Sequence, residues 1–229
     1  MTHKSSQIKA TLEDHMGSDL SVVNAARVSF GKKSFALTWD EYEYENQSRS
    51  GDLIAILDER DTKLVKYLAK HKHLSPFGHA FASFHVKAPI FVARQLVKHK
   101  FLRWNEVSRR YTTENIEFYT PDVWRGKSTD KKQGSEGVVE GVTVTEYYEA
   151  CLDVYQQAIQ ANVAPEMARM LLPQSTMTEW YWSGSLDAFA AMCRLRCASD
   201  TQYESRIVAD QISEVMGQLF PVSWKALME

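Results

Sequence analysis

Cationic side chains are concentrated in one segment of this chain, residues 94–111. The cations there are Arg94, Lys98, Lys100, Arg103, Arg109 and Arg110. The whole chain carries a formal charge of −2, so the remainder is net acidic. Arg binds phosphate through two parallel hydrogen bonds, Lys adds a point charge and Ser adds a neutral donor. The segment therefore favours a small phosphate-bearing molecule over a nucleic-acid polymer, which would call for a basic protein.

The alternative interpretation of this segment is a solvated basic face. Phe101, Trp104 and Tyr111 lie among the charges, and aromatic side chains favour partial burial. Asn105 and the one acid, Glu106, have donors and acceptors suited to a base or a ribose. A ligand site is therefore the stronger hypothesis.

Other phosphate and cofactor motifs are weak or absent. Gly126-Lys127-Ser128 resembles the end of a phosphate loop, but Pro121 stands where that motif needs glycine. The chain has no Gly-x-Gly pair, so the dinucleotide-binding fingerprint is missing. Any dinucleotide must be held in another way.

Histidines and cysteines do not form a recognisable metal or nucleophile motif. The five histidines between residues 71 and 99 include no His-Glu-x-x-His, and we expect no metal. Cys193 and Cys197 have helical spacing, which favours burial on an apolar stripe. Cys197 follows Arg196, a cation that would favour a thiolate, but no histidine base is near in sequence.

The composition is that of an ordinary globular protein. The chain has 229 residues, of which 44% are hydrophobic and 24% charged, which excludes wholesale disorder. No apolar run is long enough for a membrane span, and residues 1–6 lack a signal-peptide core. Three cysteines at irregular spacing favour a reduced, cytoplasmic protein.

Hydrophobic periodicity and turn residues predict the elements that position these side chains. We expect strands over residues 20–30 and 80–88, the first ending in a turn. We expect helices over residues 53–71, 89–99, 143–160, 165–172, 186–197 and 201–219. A turn at 75–78, a loop at 31–34 and loop insertions near 34–52 and 126–141 connect them. The prediction is one α+β domain over 1–229, with a mixed or antiparallel sheet and several helices.

Residues 98–111 resemble the signature R-H-R-x-x-S-x-N-E-x-S-x-R-Y of the flavin-dependent thymidylate synthases. The matching positions are His99, Asn105, Glu106, Ser108, Arg110 and Tyr111. Lys98 and Lys100 replace the outer arginines, and Arg103 replaces the first serine. Further blocks similar to the family lie at residues 25–31, 73–79, 84–95, 168–173, 195–196 and 202–204. The resemblance thus covers most of the chain.

The resemblance implies a reaction and a fold. Enzymes of this family methylate dUMP at carbon 5 to give dTMP, with methylenetetrahydrofolate as carbon donor and FAD, reduced by NADPH, as hydride source. They use no cysteine nucleophile and no Gly-x-Gly loop. They are α+β homotetramers whose active sites lie where subunits meet, so we expect a homo-oligomer that binds no nucleic-acid polymer and no membrane.

The resemblance also implies roles for individual residues. Arg196 matches the catalytic arginine that favours ionisation of the uracil ring nitrogen, because a fixed cation lowers a neighbouring acid's pKa. The implied dUMP contacts are Gln95, Leu96, Val97, Lys98, Glu106, Val107, Ser108, Arg109, Arg110, Arg169 and Arg196. The implied FAD contacts are His73, Ser75, Lys98, His99, Lys100, Glu106, Ser185, Leu186 and Asp187.

Several positions depart from the family pattern. Ser185 and Ala191 stand where asparagines usually touch FAD, and Asp187 replaces a commonly basic or polar residue. Lysine at 98 and 100 keeps the charge but loses the planar fork. Two alternatives stay open: a flavin-dependent relative that modifies dUMP differently, for example by hydroxymethylation, and a non-catalytic nucleotide-binding protein.

Overall fold

The computed structural model describes residues 6–36, 57–129 and 134–229. The strands are β1 (Lys9–Met16), β2 (Phe81–Pro89), β3 (Leu102–Glu106), β4 (Trp124–Lys127), β5 (Ser135–Val139) and β6 (Met177–Ser185). The helices are α1 (Asp19–Arg27), α2 (Glu59–Lys70), α3 (Ile90–Leu96), α4 (Thr145–Gln160), α5 (Pro165–Ala168), α6 (Leu186–Arg196), α7 (Tyr203–Leu219) and α8 (Pro221–Met228). The α+β prediction is confirmed.

A four-stranded sheet with the order β1-β2-β6-β3 is antiparallel throughout. Leu102 pairs with Gly184 and Glu106 with Trp180, so the two ends of β3 lie at opposite ends of β6. At Gly184 an added Cβ would approach Leu102 Cδ2 to 2.3 Å, so glycine permits this pairing. The register fixes which predicted site residues share an end of the sheet.

The sheet and the helices share one hydrophobic core. In β2 the side chains of Ala82, Phe84 and Val86 are buried while their neighbours are only partly buried, which confirms the alternation predicted over 80–88. Trp180 and Trp182 of β6 lie on the same buried face. Burying large aromatic side chains stabilises a core through the apolar area removed from water.

Three predicted helices, which correspond to α4, α6 and α7, are confirmed with small shifts at their ends. The helix predicted over 53–71 is confirmed only as α2, which begins at Glu59 because Asp58 is its N-cap, while residues 53–56 lie outside the described residues. The 165–172 prediction becomes α5 followed by a 3₁₀ turn over Arg169–Leu171. The helix predicted over 89–99 is shorter. It begins at Ile90, because Pro89 is still paired in β2 and serves as the N-cap, and it ends at Leu96 with Val97 as the C-cap.

The strand predicted over 20–30 is wrong, since that segment forms α1 and a 3₁₀ turn. The Ser21 hydroxyl accepts a hydrogen bond from the Ser18 backbone N–H at 3.0 Å and fixes the helix start. Asp19, Val22 and Val23 are buried at helical spacing. The β-branched valines favoured a strand by propensity, but the 3.6-residue period of burial prevails.

The loop predicted over 126–141 is also wrong in part, because β4 and β5 pair as an antiparallel ribbon. The Glu136 carboxylate accepts hydrogen bonds from the Thr129 backbone and hydroxyl at 2.7 and 2.8 Å. At Gly126 an added Cβ would lie 3.0 Å from the Glu136 carbonyl oxygen. The glycines that indicated a loop therefore include one that allows close strand approach.

Some elements had no prediction or lie outside the described residues. The sequence patterns did not indicate β1, β3, β6 or α8. Residues 34–36 are irregular as predicted, whereas the rest of the insertion predicted at 34–52, and residues 130–133 of the one predicted at 126–141, lie outside the described residues. Among the described helices, none is long and apolar enough to cross a membrane.

Candidate functional site

Arg196, the predicted catalytic residue, lies at the end of α6 beside the end of α3. Its Nε donates a hydrogen bond to His99 Nε2 at 3.0 Å, and its Nη2 donates to the Gln95 carbonyl oxygen at 3.3 Å. Leu96 and Met192 are fully buried and anchor the two helices in the core. The guanidinium is thus held at a fixed place by two residues that the sequence also assigned to the site.

The hydrogen bond from Arg196 requires a neutral His99. Burial and then the Arg196 cation lower the pKa of His99 to about 4. Burial also lowers the pKa of Arg196, but a guanidinium remains charged at neutral pH. His99 therefore serves as a hydrogen-bond acceptor that orients a cation.

The side chain of Gln95 is held by α7 and the residue just before it. Gln95 Nε2 donates a hydrogen bond to Gln202 Oε1, and Ser205 Oγ donates to Gln95 Oε1 at 3.2 Å. Gln202 Nε2 in turn donates to Glu204 Oε2 at 3.3 Å. We call Gln95, Gln202, Glu204, Ser205 and Arg196 the amide cluster.

Glu204 ends the amide cluster as one half of a buried ion pair. Its side chain is 6% exposed and its Oε1 pairs with the Arg125 guanidinium of β4. Arg125 Nε donates to Ser135 Oγ at 2.9 Å, and the guanidinium lies 4.5 Å from the Tyr203 ring centroid. A carboxylate can be buried at a low free-energy cost when it is paired with a cation that forms further hydrogen bonds, as Arg125 does here.

A cleft of about 760 Å³ opens between the amide cluster and the β4–β5 ribbon. That volume is within the range of small-molecule sites. Its lining is half aromatic or apolar and half polar, and consists of Phe91, Gln95, Tyr119, Pro121, Val123, Trp124, Arg125, Gly134, Ser135, Tyr148, Arg196, Gln202 and Glu204. A flat ring with polar edges suits such walls.

Glu106 lies at the far end of β3 and is held by two donors. Thr178 Oγ1 donates to Glu106 Oε1 at 2.7 Å, and Trp104 Nε1 donates to Oε2 at 3.1 Å. Trp104 stacks on Trp180 with ring centroids 4.2 Å apart. The carboxylate is thereby oriented while its side chain stays exposed.

The segment after β3 turns back on itself. The Ser108 hydroxyl accepts from both the backbone and the Nε of Arg110 at 3.3 Å, and Arg110 stays exposed. Val107 is exposed, and its N–H donates to the Glu179 carbonyl at 2.9 Å. Ser108 and Arg110 thus form a compact pair of donors at the surface, suited to an anion.

Arg109 differs from Arg110 because it is half-buried against its own loop. Its Nη1 donates to the Glu114 carbonyl at 2.7 Å and its Nη2 to the Asn115 carbonyl at 3.4 Å. Burial lowers its pKa. Its Nε is buried with no hydrogen-bond partner among the described residues.

Three exposed cations follow α3 and enter β3: Lys98, Lys100 and Arg103. None of them forms a hydrogen bond or ion pair with any residue in the described ranges. Phe101 lies among them with a φ of +65° and is 83% exposed. We call Lys98, Lys100 and Arg103 the cationic strip.

The start of β3 brings Lys100 and Arg103 of the cationic strip to the sheet end where α6 begins. Leu102 pairs with Gly184, next to Ser185, whose Oγ bonds Asp187 Oδ1 at 2.6 Å. The side chain of Leu186 is buried and its N–H donates to the Ala80 carbonyl at 2.9 Å. Leu186 therefore serves the core rather than offering a side chain to a ligand.

His73 and Ser75 lie before β2, close to the same sheet end. Both are exposed, and the His73 ring lies 6.2 Å from the Tyr67 ring and 6.4 Å from the His71 ring, measured between centroids. Ala80, which ends their turn, accepts the Leu186 N–H. The predicted FAD contacts His73, Ser75 and 185–187 thus lie around the sheet end at which β3 starts, two residues after Lys100, whereas Lys98 adjoins His99, which contacts Arg196 at the other end of α6.

The remaining predicted residues fall into separate places. The Leu96 side chain is fully buried, so only its backbone can reach a ligand, whereas Val97 is exposed. Arg169 is exposed and its Nε donates to the Glu166 carbonyl at 3.2 Å. Ala191 is exposed on α6. Within this chain the structure joins Arg196, His99 and Gln95 directly, while Glu106, Ser108–Arg110 and Arg169 lie apart from them.

Sequence reasoning missed the ribbon side of the cleft, namely Trp124, Arg125 and Ser135. It quoted Gln202 and Glu204 without giving them a role. An acid in the first turn of a helix usually faces solvent, so nothing in the sequence indicated that Glu204 pairs with an arginine 79 positions earlier. Within the described ranges, no three His, Cys, Asp or Glu side chains are grouped as metal ligands.

Comparison with known proteins identifies close similarity over nearly the whole chain. Residues 11–222 match the sequence model of a family described as thymidylate synthase complementing protein. A flavin-dependent thymidylate synthase of Thermus thermophilus is 36% identical over 222 residues, which cover 95% of this chain and 74% of that protein. The enzyme of the same description from Kosmotoga olearia is 36% identical over 224 residues, covering 95% and 88%.

Solved structures show the same fold. The UMP/dUMP methylase PolB from Streptomyces cacaoi, bound with 5-Br dUMP, superposes with a TM-score of 0.78 at 30% sequence identity. That match covers 99% of this chain and 96% of PolB. PolB bound with 5-Br UMP gives a TM-score of 0.77 at 29% identity, covering 98% and 95%.

Proposed function

This chain belongs to the family of flavin-dependent thymidylate synthases, and we propose that it converts dUMP to dTMP. The observation that carries the proposal is the juxtaposition of Arg196, His99 and Gln95 at a cleft sized for a small ligand. Methylenetetrahydrofolate is the proposed carbon donor and NADPH the proposed reductant. The family membership rests on the match over residues 11–222 and on the relatives described above.

The residues present fit FAD. The cationic strip offers exposed positive charges with no partner in the described part of this chain, as a diphosphate requires. Ser185 and Asp187 offer oxygen acceptors suited to hydroxyl and amino groups rather than to phosphate. When bound, the flavin supplies the hydride chemistry that no side chain here can perform.

Arg196 is proposed to orient the pyrimidine and to stabilise negative charge on it. Because neutral His99 and the Gln95 carbonyl hold Nε and Nη2, the remaining N–H groups of the guanidinium are free to donate to the ring. A fixed cation stabilises an anion most where little water competes. Glu106, held by Thr178 and Trp104, is the proposed acceptor for a substrate donor.

The nucleotide phosphate is assigned to the exposed donors outside the cleft. Ser108 and Arg110 form one compact donor pair, and Arg169 is a second exposed arginine. Arg109 is not part of this proposal for the phosphate, because its side chain is half-buried and turned toward the backbone carbonyls of Glu114 and Asn115, whereas Arg110 is exposed. This division separates the phosphate donors from the base-binding Arg196.

A ribonucleotide is a second candidate substrate. The structural neighbour PolB is described as a UMP/dUMP methylase and was solved with both 5-Br dUMP and 5-Br UMP. This favours testing UMP beside dUMP. Turnover with UMP at a rate comparable to dUMP would place this enzyme with the dual-substrate relative, and turnover with dUMP alone would support the thymidylate synthase assignment.

We propose that the protein is a homo-oligomer, with a tetramer that shares its active sites between subunits. The side chains of Phe101 and Tyr111, which are 83% and 77% exposed, support this, because large aromatic side chains gain from being covered by a partner surface. The three free cysteines suit a reducing, cytoplasmic compartment. Light scattering on the FAD-loaded protein tests the assembly, and a monomer that turns over dUMP would contradict shared sites.

Product analysis tests the reaction directly. The purified protein is incubated anaerobically with dUMP, methylenetetrahydrofolate, FAD and NADPH, and the product is identified by mass. We expect dTMP. A hydroxymethylated nucleotide would support the alternative dUMP modification, and tight dUMP binding with no product and no flavin would support the non-catalytic alternative.

A further inference from the structure

The hydrogen bonds of the amide cluster all run in one direction, and Glu204 determines that direction. A carboxylate can only accept hydrogen bonds, so Gln202 must turn its NH₂ group toward Glu204 Oε2. Gln202 Oε1 then faces Gln95 and accepts from Gln95 Nε2. Gln95 Oε1 consequently faces Ser205, whose hydroxyl donates to it. Arg125 keeps the carboxylate paired at the buried end.

This direction determines what Gln95 presents to the cleft. Nε2 of Gln95 carries two hydrogens, and one of them is used by Gln202. The other has no acceptor among the residues that the structure describes, and Gln95 lines the cleft beside Arg196. With the cluster in this state Gln95 therefore offers an N–H donor to a bound ring.

We propose that Glu204 is a specificity-determining positioning residue, which acts through Gln202 to make Gln95 a donor toward the pyrimidine base. The inference rests on the proposed function. Uracil has a carbonyl oxygen at carbon 4, whereas cytosine has an amino group there. An N–H donor at Gln95 can bond to the carbonyl oxygen of uracil, whereas with cytosine it faces the amino group, which is another donor. A polar site of this kind discriminates strongly because the wrong ring leaves groups unpaired.

The substitution Glu204→Gln tests the proposal because it reverses the direction. Arg125 can only donate, so the one oxygen of the new amide must face Arg125 and its NH₂ group must face Gln202. Gln202 then turns its oxygen toward the new amide and its NH₂ group toward Gln95. Gln95 in turn accepts from Gln202 with Oε1 and places Nε2 at Ser205, whose hydroxyl can accept. The donor that faced the ring is lost.

The measurement is the affinity of the FAD-loaded protein for dUMP and for dCMP, each titrated alone by calorimetry. For Glu204→Gln we expect dUMP to bind about 10-fold more weakly, with no such loss for dCMP, so that the preference for dUMP falls by about 10-fold or more. Glu214→Gln is the matched control, since Glu214 is an exposed glutamate on the same helix. It should leave both affinities unchanged.

A second variant tests the chain of hydrogen bonds from Glu204 through Gln202 to Gln95, which we call the relay, without altering the buried ion pair of Glu204 with Arg125. Gln202→Met removes both amide contacts at similar size, so Gln95 is free to turn either way and the preference for dUMP should fall by less than in Glu204→Gln. If Glu204→Gln does not fold, this variant decides the question.

The outcomes separate the inference from the function beneath it. A folded Glu204→Gln or Gln202→Met protein with the wild-type ratio of affinities overturns the inference, as does an equal loss of both affinities. Failure of the wild-type protein to bind dUMP would overturn the proposed function instead. Wild-type binding and turnover of dUMP together with an unchanged ratio in the variants would leave the function intact and the relay refuted.

Discussion

Gln95 of the amide cluster lies only a few residues before the cationic strip in sequence, yet the fold treats the two groups in opposite ways. In the amide cluster, Gln95, Gln202 and Glu204 are all bonded to neighbours within this chain. In the cationic strip, Lys98, Lys100 and Arg103 have no such partners among the described residues. One part of the site is thus formed by the polypeptide, and the other needs a counter-charge from a ligand.

This difference indicates in which of the two regions folding stability and ligand binding depend on the same side chains. A buried polar network must be satisfied within the chain, because each unpaired buried group costs about 1–3 kcal/mol. Exposed cations keep their hydration and cost the fold little, so they remain available to an anion. We therefore expect changes in the cluster to affect both folding and chemistry, and changes in the strip to affect ligand binding alone.

The largest expected effect is that of Arg196→Lys, within the pre-formed part. Lysine keeps the charge but has a single nitrogen in place of the planar guanidinium, whose Nε and Nη2 contact His99 and the Gln95 carbonyl from separate positions, so the geometry of the cation toward the ring is lost. Turnover under saturating dUMP and FAD should fall on the order of 10²–10³-fold, as for loss of one group that stabilises transition-state charge. Arg60→Lys, at an exposed position of α2, is the control and should retain wild-type turnover.

The split between kcat and KM makes this prediction sharper. Loss of an interaction made in the transition state lowers kcat with little change in KM. Near-normal kcat in Arg196→Lys would mean that the pre-formed cluster is a structural feature and that the chemistry lies elsewhere.

The second largest effect concerns the cationic strip. Replacing Lys98, Lys100 and Arg103 together by glutamine should weaken FAD binding by at least about 10-fold, because hydrogen bonds to charged groups contribute about 1.5–3 kcal/mol each. The melting temperature of the FAD-free protein should stay unchanged, since these side chains have no partner in the described part of the fold.

The matched control is the same triple change on one exposed helical face, Lys63, Lys66 and Lys70 of α2. It should leave FAD affinity unaltered, and the wild-type affinity should weaken with added salt. A cationic-strip variant that loses melting temperature as well as FAD would remove the distinction drawn between the two regions.

The fold could be predicted where burial repeats at a regular interval. The β2 alternation and the helices α4, α6 and α7 follow their sequence patterns closely. β3 was hidden because Leu102, Trp104 and Glu106 lie among charges, and only the pairing with β6 makes that segment a strand. α1 was mistaken for a strand because its valines satisfy both patterns over so short a range.

The site could be predicted where one segment carries it. The motif at 98–111 supplied His99, and the resemblance supplied Arg196 as its partner, whereas Glu106 and Ser108 of the same motif lie apart from both in this chain. The contacts of Arg125 with Glu204 and of Gln95 with Ser205 join residues 79 and 110 positions apart. Sequence periodicity does not reveal contacts between residues so far apart in the chain. The residues that line the cleft could therefore be identified only from the folded structure.

A smaller effect is expected from pH, through His99. Its folded pKa of about 4 lies below the ordinary value of 6.5, so the unfolded state binds the proton more readily. The stabilising contribution of neutral His99 is complete above pH 6.5 and is lost as pH falls through 4. His99→Gln should therefore flatten the fall in unfolding free energy between pH 6.5 and 4.

Denaturant unfolding at several pH values measures this difference. His79→Gln, at an exposed histidine, is the control and should keep the wild-type pH dependence. If the unfolding free energy of His99→Gln fell with pH as steeply as that of the wild-type protein, the contact with Arg196 would not be what keeps the imidazole neutral. The amide cluster would then be less pre-formed than its geometry indicates.

The smallest effect on activity should come from the cysteines, which lie in α4, in α6 and directly after α6 but take no part in the proposed chemistry. Cys193 is fully buried with its thiol 3.6 Å from the Ala209 carbonyl, and burial raises its pKa, so it remains a thiol. Replacing Cys151, Cys193 and Cys197 together by alanine should leave FAD affinity and kcat within about two-fold. The loss of a small buried group at 193 should cost about 1 kcal/mol of unfolding free energy. A folded, FAD-binding triple variant that forms no product would establish covalent catalysis by a thiol, and the division of the site into an amide cluster and a cationic strip would then omit its nucleophile.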